Sequence, residues 1–142
     1  MRAICFGTFD YLHPGHLNYF KQASKFGEEL IIIIARDENV HKNKGRYPTQ
    51  PEKIRLEAVR RALKSKNYSA QAFLGNKVNP WLVLKRFKPD FICLGYDQKV
   101  DLSKLNNEIR RFRLFCKVKR LRPYRAAKYK SSLIKARMFQ SN

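Results

Sequence analysis

Residues 2–16 read RAICFGTFDYLHPGH and contain a strand, a turn and the start of a helix in immediate succession. The apolar run at 2–7 is typical of a buried β-strand that ends at a glycine. The proline-glycine pair at 14–15 favours the first turn of a helix, and apolar side chains then recur at helical spacing to residue 26. A strand that leads directly into a helix is the repeating unit of an α/β fold, so we expect that class.

The rest of the chain continues this alternation of strands and helices. The other predicted strands are 29–36, 70–74, 91–94 and 114–121, and the later helices are predicted to begin near Thr49 (as N-cap), Pro80, Ser103 and Ser131. Residues 37–44 are polar and basic, so we predict a loop there with no more than a helical turn. The pattern predicts one domain, 1–142, built on a Rossmann-like, doubly wound, five-stranded parallel sheet with helices on both faces.

Length and composition favour a folded domain. The chain has 142 residues and is 44% hydrophobic, which is too apolar for a disordered protein. Its longest apolar run, LIIIIA at 30–35, is far shorter than the roughly 20 residues that span a bilayer. The N-terminus enters a strand without the layout of a signal peptide, and the three cysteines lack the spacing of a metal site. We therefore expect a cytoplasmic protein with buried free thiols and no membrane partner.

The charge balance is strongly basic. The chain has 31 basic and 11 acidic residues, for a net charge of +20, and no acidic residue follows Glu108. Such an excess attracts polyanions, and both nucleic acids and nucleoside triphosphates belong to that class. A lysine-rich genomic bias that produces an inert basic surface explains the composition equally well. Charge alone therefore leaves the partner open.

The residues with the clearest chemistry follow the first strand. In open α/β sheets, ligands bind where the parallel strands end, near the point at which the strand order reverses. Gly7-Thr8-Phe9-Asp10 lies at that edge, and small residues in such a turn let backbone N–H groups approach a phosphate. His13 and His16 fall in the first turn of the next helix, where free N–H groups and the helix dipole also favour an anion. Both imidazoles can therefore contact the same phosphate.

This block resembles the signature of the cytidylyltransferase-like nucleotidyltransferases, in which HxGH is a version of the HIGH motif. The resemblance implies that a phosphate oxygen of an acceptor attacks the α-phosphorus of an NTP and that pyrophosphate leaves. It implies catalytic roles for His13 and His16 as hydrogen-bond donors, with Mg²⁺ bridging the phosphates and no side-chain metal ligand singled out. Asp10 either orients the turn or contacts the metal or the substrate. The nucleotide-binding residues implied here are Gly7, Thr8, Phe9, Asp10 and Gly15.

The resemblance continues after the second predicted strand. The blocks ARDENV, KGRYP and EKIRLEAV, between residues 35 and 59, are similar to the segment in which this family places a lysine on the triphosphate or the acceptor phosphate. Lys44 is the expected catalytic lysine, with Lys42 as the alternative. Arg46 and Arg55 are expected to bind the acceptor or a phosphate, although Arg55 can also be a solvated charge on its helix.

The end of the fourth predicted strand is also similar to the family. Gly95-Tyr96-Asp97-Gln98 stands where these enzymes have a turn containing Gly and Asp against the base and ribose. The resemblance implies that Gly95 and Asp97 bind the nucleotide. Alternatively, Asp97 caps the turn.

The C-terminal part of the chain resembles the family more loosely. Ser131-Ser132 is similar to a Ser/Thr-rich segment that opens a helix and holds the β- and γ-phosphates, or else is an ordinary N-cap. The usual form has more hydroxyl residues and an upstream arginine. The resemblance implies that the basic segment 122–142 completes the nucleotide site, with phosphate contacts from Arg125 and Lys130.

The identity of the nucleotide and the acceptor depends on finer features. The combination of ARD at 35–37, KGR at 44–46 and LGYDQ at 94–98 looks most like the archaeal-type FAD synthases, which transfer AMP from ATP to FMN. Glycerol-3-phosphate cytidylyltransferase, which uses CTP, shares the GTFD and HxGH blocks and is the alternative. A more remote alternative is a nucleic-acid-binding protein that retains this fold. Homodimers are common in the family, and Trp81 lies on a short predicted helix that either forms such an interface or covers the sheet.

Overall fold

The computed structural model describes residues 1–123 as an alternation of strands and helices. In chain order the elements are β1 (Arg2–Gly7), α1 (Pro14–Ser24), β2 (Glu29–Ile34), α2 (Asp37–Lys44), α3 (Glu52–Leu63), β3 (Ser69–Leu74), α4 (Leu82–Phe87), β4 (Phe91–Leu94), α5 (Leu102–Arg111) and β5 (Lys117–Arg120). Within this part of the chain, no helix is both long and apolar enough to cross a membrane. The helix predicted to begin at Ser131 lies outside the described residues.

The strands form one five-stranded sheet in the order β3-β2-β1-β4-β5, and every pair is parallel. The chain builds outwards from β1 through β2 to β3, and then returns to the other side of β1 for β4 and β5. The strand order therefore reverses between β1 and β4. In open α/β sheets, the crevice beyond the carboxyl ends of the strands at such a point is where ligands bind. The predicted fold class, a doubly wound parallel α/β sheet, is confirmed.

Helices cover both faces of the sheet. On one face α1 and α3 bury Phe20 and Val59 against the strands, and on the other face α4 and α5 bury Leu84 and Leu105. The β2 residues 30–34 are at most 3% exposed, as expected of a central parallel strand that is covered on both sides. The two apolar layers hold the sheet rigid, and they leave its carboxyl edge available for a site.

Residues 37–44 form a complete helix, α2, where the sequence indicated a loop. Val40 is its one buried residue, so no apolar period marks this segment. The helix is instead favoured at its ends. Asp37 and Glu38 lie in the first turn, basic side chains lie in the last turn, and Gly45 ends the helix with a φ of 76°. The loop prediction is wrong because a short helix at the edge of a sheet needs few apolar side chains.

The ends of several other elements differ from the predictions. Pro51 is the N-cap of α3, so the helix begins later than the predicted Thr49 cap. The predicted strand at 114–121 starts too early, because the Leu114 N–H still closes the end of α5 on the Ile109 carbonyl. β2 likewise ends at Ile34, two residues before the predicted bound.

The core accounts for several side chains whose role the sequence left open. Trp81 packs edge-on against Phe6 with 5.4 Å between ring centroids, and it joins the apolar cluster beneath α4. This contact supports the alternative in which Trp81 covers the sheet. Cys5 and Cys93 are buried free thiols as expected, whereas Cys116 is only partly buried.

Candidate active site

One side chain spans the crevice between β1 and β4. The register of these two strands runs from Ala3 to Cys5. Beyond it, the Phe6 carbonyl accepts a hydrogen bond from Gln98 Nε2 at 3.1 Å. Gln98 Oε1 accepts one from the Gly95 N–H at 3.1 Å, so a single amide joins the ends of the two strands. The strands separate at their carboxyl ends, and the turns that follow them face each other.

In the turn after β1, the side chain of Phe9 lies over Gly7. Phe9 has a φ of 54° and is 4% exposed, and its ring packs against Phe20 with 5.0 Å between centroids. A Cβ on Gly7 would lie 2.5 Å from the Phe9 ring, so only glycine fits at that position. A bulky residue in the left-handed region is strained by roughly 1–3 kcal/mol, which the aromatic packing offsets. The buried ring therefore fixes the path of the backbone between β1 and α1.

His13 and His16 cap the helix that this turn enters. His13 is the N-cap of α1, and its Nδ1 accepts a hydrogen bond from the Gly15 N–H at 3.1 Å. In return, His16 Nδ1 accepts one from the His13 N–H at 3.3 Å. The two imidazoles stack with 3.7 Å between centroids, and the Phe9 ring lies perpendicular to His16 at 5.3 Å. Both rings are thus oriented by the protein itself.

The capping bonds determine which ring nitrogen carries the proton. An Nδ1 atom that accepts a hydrogen bond has no proton, so each neutral imidazole carries its proton on Nε2. His13 Nε2 is buried and has no hydrogen-bond partner among residues 1–123. Burial also lowers the pKa of His13, which keeps its ring neutral near pH 7. A buried, oriented N–H donor at a helix N-terminus is suited to an oxygen of a bound anion.

Asp10 joins the same turn to the loop before α3. The carboxylate is 6% exposed, with Oδ1 accepting from the Gln50 N–H at 2.9 Å and Oδ2 from the Thr49 N–H at 2.8 Å. Gln50 Oε1 accepts a further bond from the Tyr11 N–H at 2.9 Å. Hydrogen bonds to an ionised carboxylate are the stronger kind. The sequence left open whether Asp10 orients the turn or contacts the metal or the substrate. These contacts support the first role, in which Asp10 orients the turn.

Lys44 reaches this turn from the last residue of α2. Its Nζ donates a hydrogen bond to Thr8 Oγ1 at 3.2 Å, and the side chain is exposed. The ammonium group therefore lies beside the Gly7–Asp10 turn, and its contact with a phosphate stays a prediction. Lys42 and Arg46 are also exposed, on either side of Lys44 in the chain.

Arg55 is the most completely buried charged residue between residues 1 and 123, with no exposed surface. Its Nε donates to the Gln50 carbonyl at 2.9 Å and its Nη1 to the Thr8 carbonyl at 2.7 Å. Its Nη2 donates to the Ala35 carbonyl at 2.9 Å and to Asp37 Oδ1 at 2.7 Å. Neither the predicted phosphate contact nor the solvated-charge alternative fits this position, because protein oxygens enclose the guanidinium group.

The N-termini of α2 and α3 are tied together beside Arg55. Glu52 Oε1 accepts from the Asp37 N–H at 2.9 Å, and Asp37 Oδ2 accepts from the Glu52 N–H at 3.2 Å. Arg36 adds an ion pair of 2.8 Å with Glu52 Oε2. Burial opposes ionisation of Glu52, but the hydrogen bonds from the Asp37 N–H and from Arg36 hold its pKa below the usual value. These reciprocal hydrogen bonds between the two helix N-termini fix the position of α2, and therefore of Lys44 at its end.

The turn after β4 is braced from two sides. Arg120 Nη1 donates to the Gly95 carbonyl at 2.7 Å and to the Gln98 carbonyl at 2.6 Å. On the other side, Tyr19 Oη donates to the Cys93 carbonyl of β4 at 2.6 Å and also lies 3.4 Å from Gln98 Oε1 in the turn. The sequence did not single out Arg120 or Tyr19, because each acts on a turn that is far away along the chain. Together they shape the wall of the crevice opposite the histidines.

The structure therefore brings most of the predicted site residues to one edge of the sheet. The group around the first turn consists of Gly7, Thr8, Phe9, Asp10, His13, Gly15, His16 and Lys44. Gly95 and the exposed Asp97 lie in the turn after β4. Of the remaining predicted site residues, Arg46 is exposed after α2 and Arg55 is buried. The last four, Arg125, Lys130, Ser131 and Ser132, lie outside the described residues.

Known proteins resemble this chain over most of its length. The family model described as cytidylyltransferase-like matches residues 4–137. The FAD synthase of Methanothermobacter thermautotrophicus is 42% identical over 129 residues, which cover 89% of this chain and 82% of that protein. The FAD synthase of Methanosarcina mazei is 46% identical over 121 residues, which cover 84% of this chain and 76% of that protein.

Solved structures share the architecture. The crystal structure of the lipopolysaccharide core biosynthesis protein from Thermoplasma volcanium matches with a TM-score of 0.76 at 34% identity, covering 87% of this chain and 98% of that one. A protein of unknown function from Archaeoglobus fulgidus matches with a TM-score of 0.66 at 16% identity, which supports the fold alone. With its strand order, its histidine-capped helix and a family match over most of its length, this chain belongs to the cytidylyltransferase-like family.

Proposed function

We propose that this protein is a nucleotidyltransferase that transfers AMP from ATP to FMN, with FAD and pyrophosphate as products. The observation that carries the reaction class is the histidine pair, whose capping bonds place a proton on Nε2 of each ring beside a helix N-terminus. The choice of ATP and FMN is supported by the two relatives named FAD synthase, which are 42% and 46% identical to this chain.

The reaction is a single displacement at phosphorus. A phosphate oxygen of FMN forms a bond to the α-phosphorus of ATP, while the bond from that phosphorus to the oxygen of the β-phosphate breaks. The electron pair of the broken bond leaves with pyrophosphate. The attacking oxygen is already ionised, because a phosphate monoester has a second pKa of about 6. The protein therefore needs no general base, and its task is to orient the reactants and stabilise negative charge.

The histidines are suited to the stabilising task. In our proposal, Nε2–H of His13 and of His16 donates to oxygens of the α-phosphate, where charge develops as pyrophosphate leaves. One such oriented donor contributes about 10²–10³ in kcat. Lys44, which is anchored at Thr8, places a positive charge beside the triphosphate or the acceptor phosphate. The backbone N–H groups of the Gly7–Asp10 turn complete the cradle, while the Gly15 N–H holds His13 Nδ1 in place.

We propose that Mg²⁺ enters as a complex with the triphosphate. The described side chains do not fit a resident metal site, because both Asp10 carboxylate oxygens accept backbone N–H bonds. Within residues 1–123, no group of three or more His, Cys, Asp or Glu side chains is arranged to hold a metal ion. We therefore assign no catalytic step to a protein-bound metal.

The C-terminal segment 122–142 is proposed to complete the nucleotide site within the same domain. The family match extends to residue 137 and so includes Ser131 and Ser132. The described chain ends beside α1, since the Arg122 N–H donates to Gln22 Oε1 at 3.0 Å. Hydroxyl and basic side chains that follow this point are suited to the β- and γ-phosphates.

The test of this proposal is pyrophosphate release from purified protein with ATP or CTP, each paired with FMN or glycerol 3-phosphate. We expect release with ATP and FMN, and FAD as the second product. Release with CTP and glycerol 3-phosphate alone would assign the protein to the cytidylyltransferase alternative. No release with any pair, together with salt-dependent binding to nucleic acid, would instead favour the nucleic-acid-binding alternative.

A further inference from the structure

An enzyme that accepts FMN needs a surface for the isoalloxazine ring. This ring system is planar and heteroaromatic, and proteins bind such rings by stacking them on aromatic side chains. Within residues 1–123, two aromatic side chains are exposed, Tyr47 at 54% and Phe115 at 99%. Phe115 precedes β5 and lies at the amino-terminal edge of the sheet, away from the crevice. Tyr47 lies in the loop after α2, at the carboxyl edge.

Tyr47 is held in a fixed orientation although it is exposed. Its ring stacks on the His41 ring, with 4.3 Å between centroids and 13° between planes. Its hydroxyl donates to both carboxylate oxygens of Glu38 at 3.2 Å, and this bond raises the pKa of Tyr47. His41 and Glu38 are three residues apart on α2, as are Lys44 and His41, so all three lie on neighbouring positions of one face. One face of the tyrosine ring is covered, and the ring keeps an accessible surface that is already oriented.

The loop after α2 holds this ring at the rim of the crevice. Lys44, at one end of the loop, donates to Thr8 Oγ1 at 3.2 Å. At the other end, the backbone N–H groups of residues 49–50 donate to the Asp10 carboxylate at 2.8 and 2.9 Å. Both ends of the loop are therefore hydrogen-bonded to the Gly7–Asp10 turn, and Tyr47 lies between them.

We propose that the isoalloxazine ring of FMN stacks on the accessible face of Tyr47, with His41 supporting the opposite face; this assignment rests on the proposed function. The charge around the ring fits the rest of the acceptor, because Lys44 and Arg46 are exposed beside it and the FMN phosphate is anionic. The ring then occupies the rim while its phosphate points towards the crevice. Tyr47 favours an aromatic acceptor over glycerol 3-phosphate, which has nothing to stack.

The experiment compares Tyr47→Ala, Tyr47→Phe and the wild-type protein in steady-state FAD formation. We expect Tyr47→Ala to raise the KM for FMN about 10-fold or more and to leave the KM for ATP unchanged. Tyr47→Phe keeps the ring and should stay close to the wild-type KM. Phe115→Ala removes a more exposed ring at the opposite edge and is the matched control, with no change expected in either KM.

A second readout measures binding without turnover. Stacking on tyrosine quenches flavin fluorescence by electron transfer from the phenol ring, so titration of FMN with the wild-type protein should quench the signal and titration with Tyr47→Ala should not. Tyr47→Phe should bind FMN with little quenching, because a phenylalanine ring stacks on the flavin but does not donate the electron. An unchanged KM for FMN and unchanged quenching in Tyr47→Ala would overturn the stacking proposal. A lower kcat with the same KM for FMN would also overturn it, by showing that Tyr47 only supports the loop. Failure of the wild-type protein to form FAD would refute the proposed function itself.

Discussion

Replacement of Arg55 by methionine removes a guanidinium group that four protein oxygens surround. The variant keeps a long apolar side chain, so the cavity left behind is small. The Gln50, Thr8 and Ala35 carbonyls each lose a donor, and Asp37 loses its ion pair. We therefore expect a large loss of stability and only a secondary effect on nucleotide binding.

The size of this loss follows from the burial of the partners. Each buried acceptor left without a donor costs about 1–3 kcal/mol, and removal of one member of a buried ion pair costs about 3–5 kcal/mol in total. Asp37 is 29% exposed and can recover part of its hydration, so we expect the lower half of that range, about 3–4 kcal/mol. A domain of this kind has a free energy of unfolding of only about 5–15 kcal/mol. Arg55→Lys keeps the charge but not the planar fork, and should lose about 1–3 kcal/mol.

Urea unfolding followed by the fluorescence of the single tryptophan, Trp81, measures these differences. Arg61→Met, at an exposed arginine on the same helix, is the matched control and should change the free energy of unfolding by less than about 0.5 kcal/mol. The KM for ATP is measured in parallel at a temperature at which the variants remain folded. Wild-type stability in Arg55→Met together with a tenfold higher KM for ATP would refute this reasoning, because it would place Arg55 on a phosphate.

Three further predictions concern the first turn and its helix. His16→Ala should lower kcat about 100-fold or more while the lost cap costs about 1 kcal/mol, and a near-normal kcat in initial-rate assays would contradict the donor role. Because burial lowers the pKa of His13, the unfolded chain takes up a proton first, and the native state should lose stability as pH falls below about 6.5. His13→Asn should remove this component, so urea unfolding at pH 7 and pH 5.5 should give a smaller difference in the variant than in the wild type; equal differences would count against it. Gly7→Ala places a Cβ 2.5 Å from the Phe9 ring and should cost about 1–3 kcal/mol, a loss that an unchanged Tm would disprove.

The sheet and the first turn could be predicted because their signals are local. Unbroken apolar runs mark β1, β2 and β4, and the turn that follows β1 has a distinctive motif at 7–16. The α2 helix was missed because one buried side chain, Val40, leaves no period to detect. The sequence does contain signals for both ends of this helix: Asp37 and Glu38 in the first turn, and Gly45 after the last. These signals indicate a helix even though its apolar residues show no helical period.

The contacts that organise the site could not be predicted, for a different physical reason. A charged residue on a helix is usually solvated, and only the convergence of three carbonyls from separate segments with the Asp37 carboxylate makes the burial of Arg55 favourable. Histidine is likewise not a usual N-cap, so the reciprocal bonds of His13 and His16 had no propensity signal. The Tyr47 stack also depends on α2, the one helix between residues 1 and 123 that the sequence did not indicate.

The most direct test of the proposed function follows the α-phosphorus of the nucleotide. Protein is incubated with ATP labelled at that phosphorus, together with FMN, and in parallel with CTP labelled in the same position, together with glycerol 3-phosphate. We predict that the label moves from ATP into FAD, that the released pyrophosphate is unlabelled, and that CTP keeps its label. Transfer of the label from CTP to glycerol 3-phosphate, with none from ATP to FMN, would contradict the proposed function.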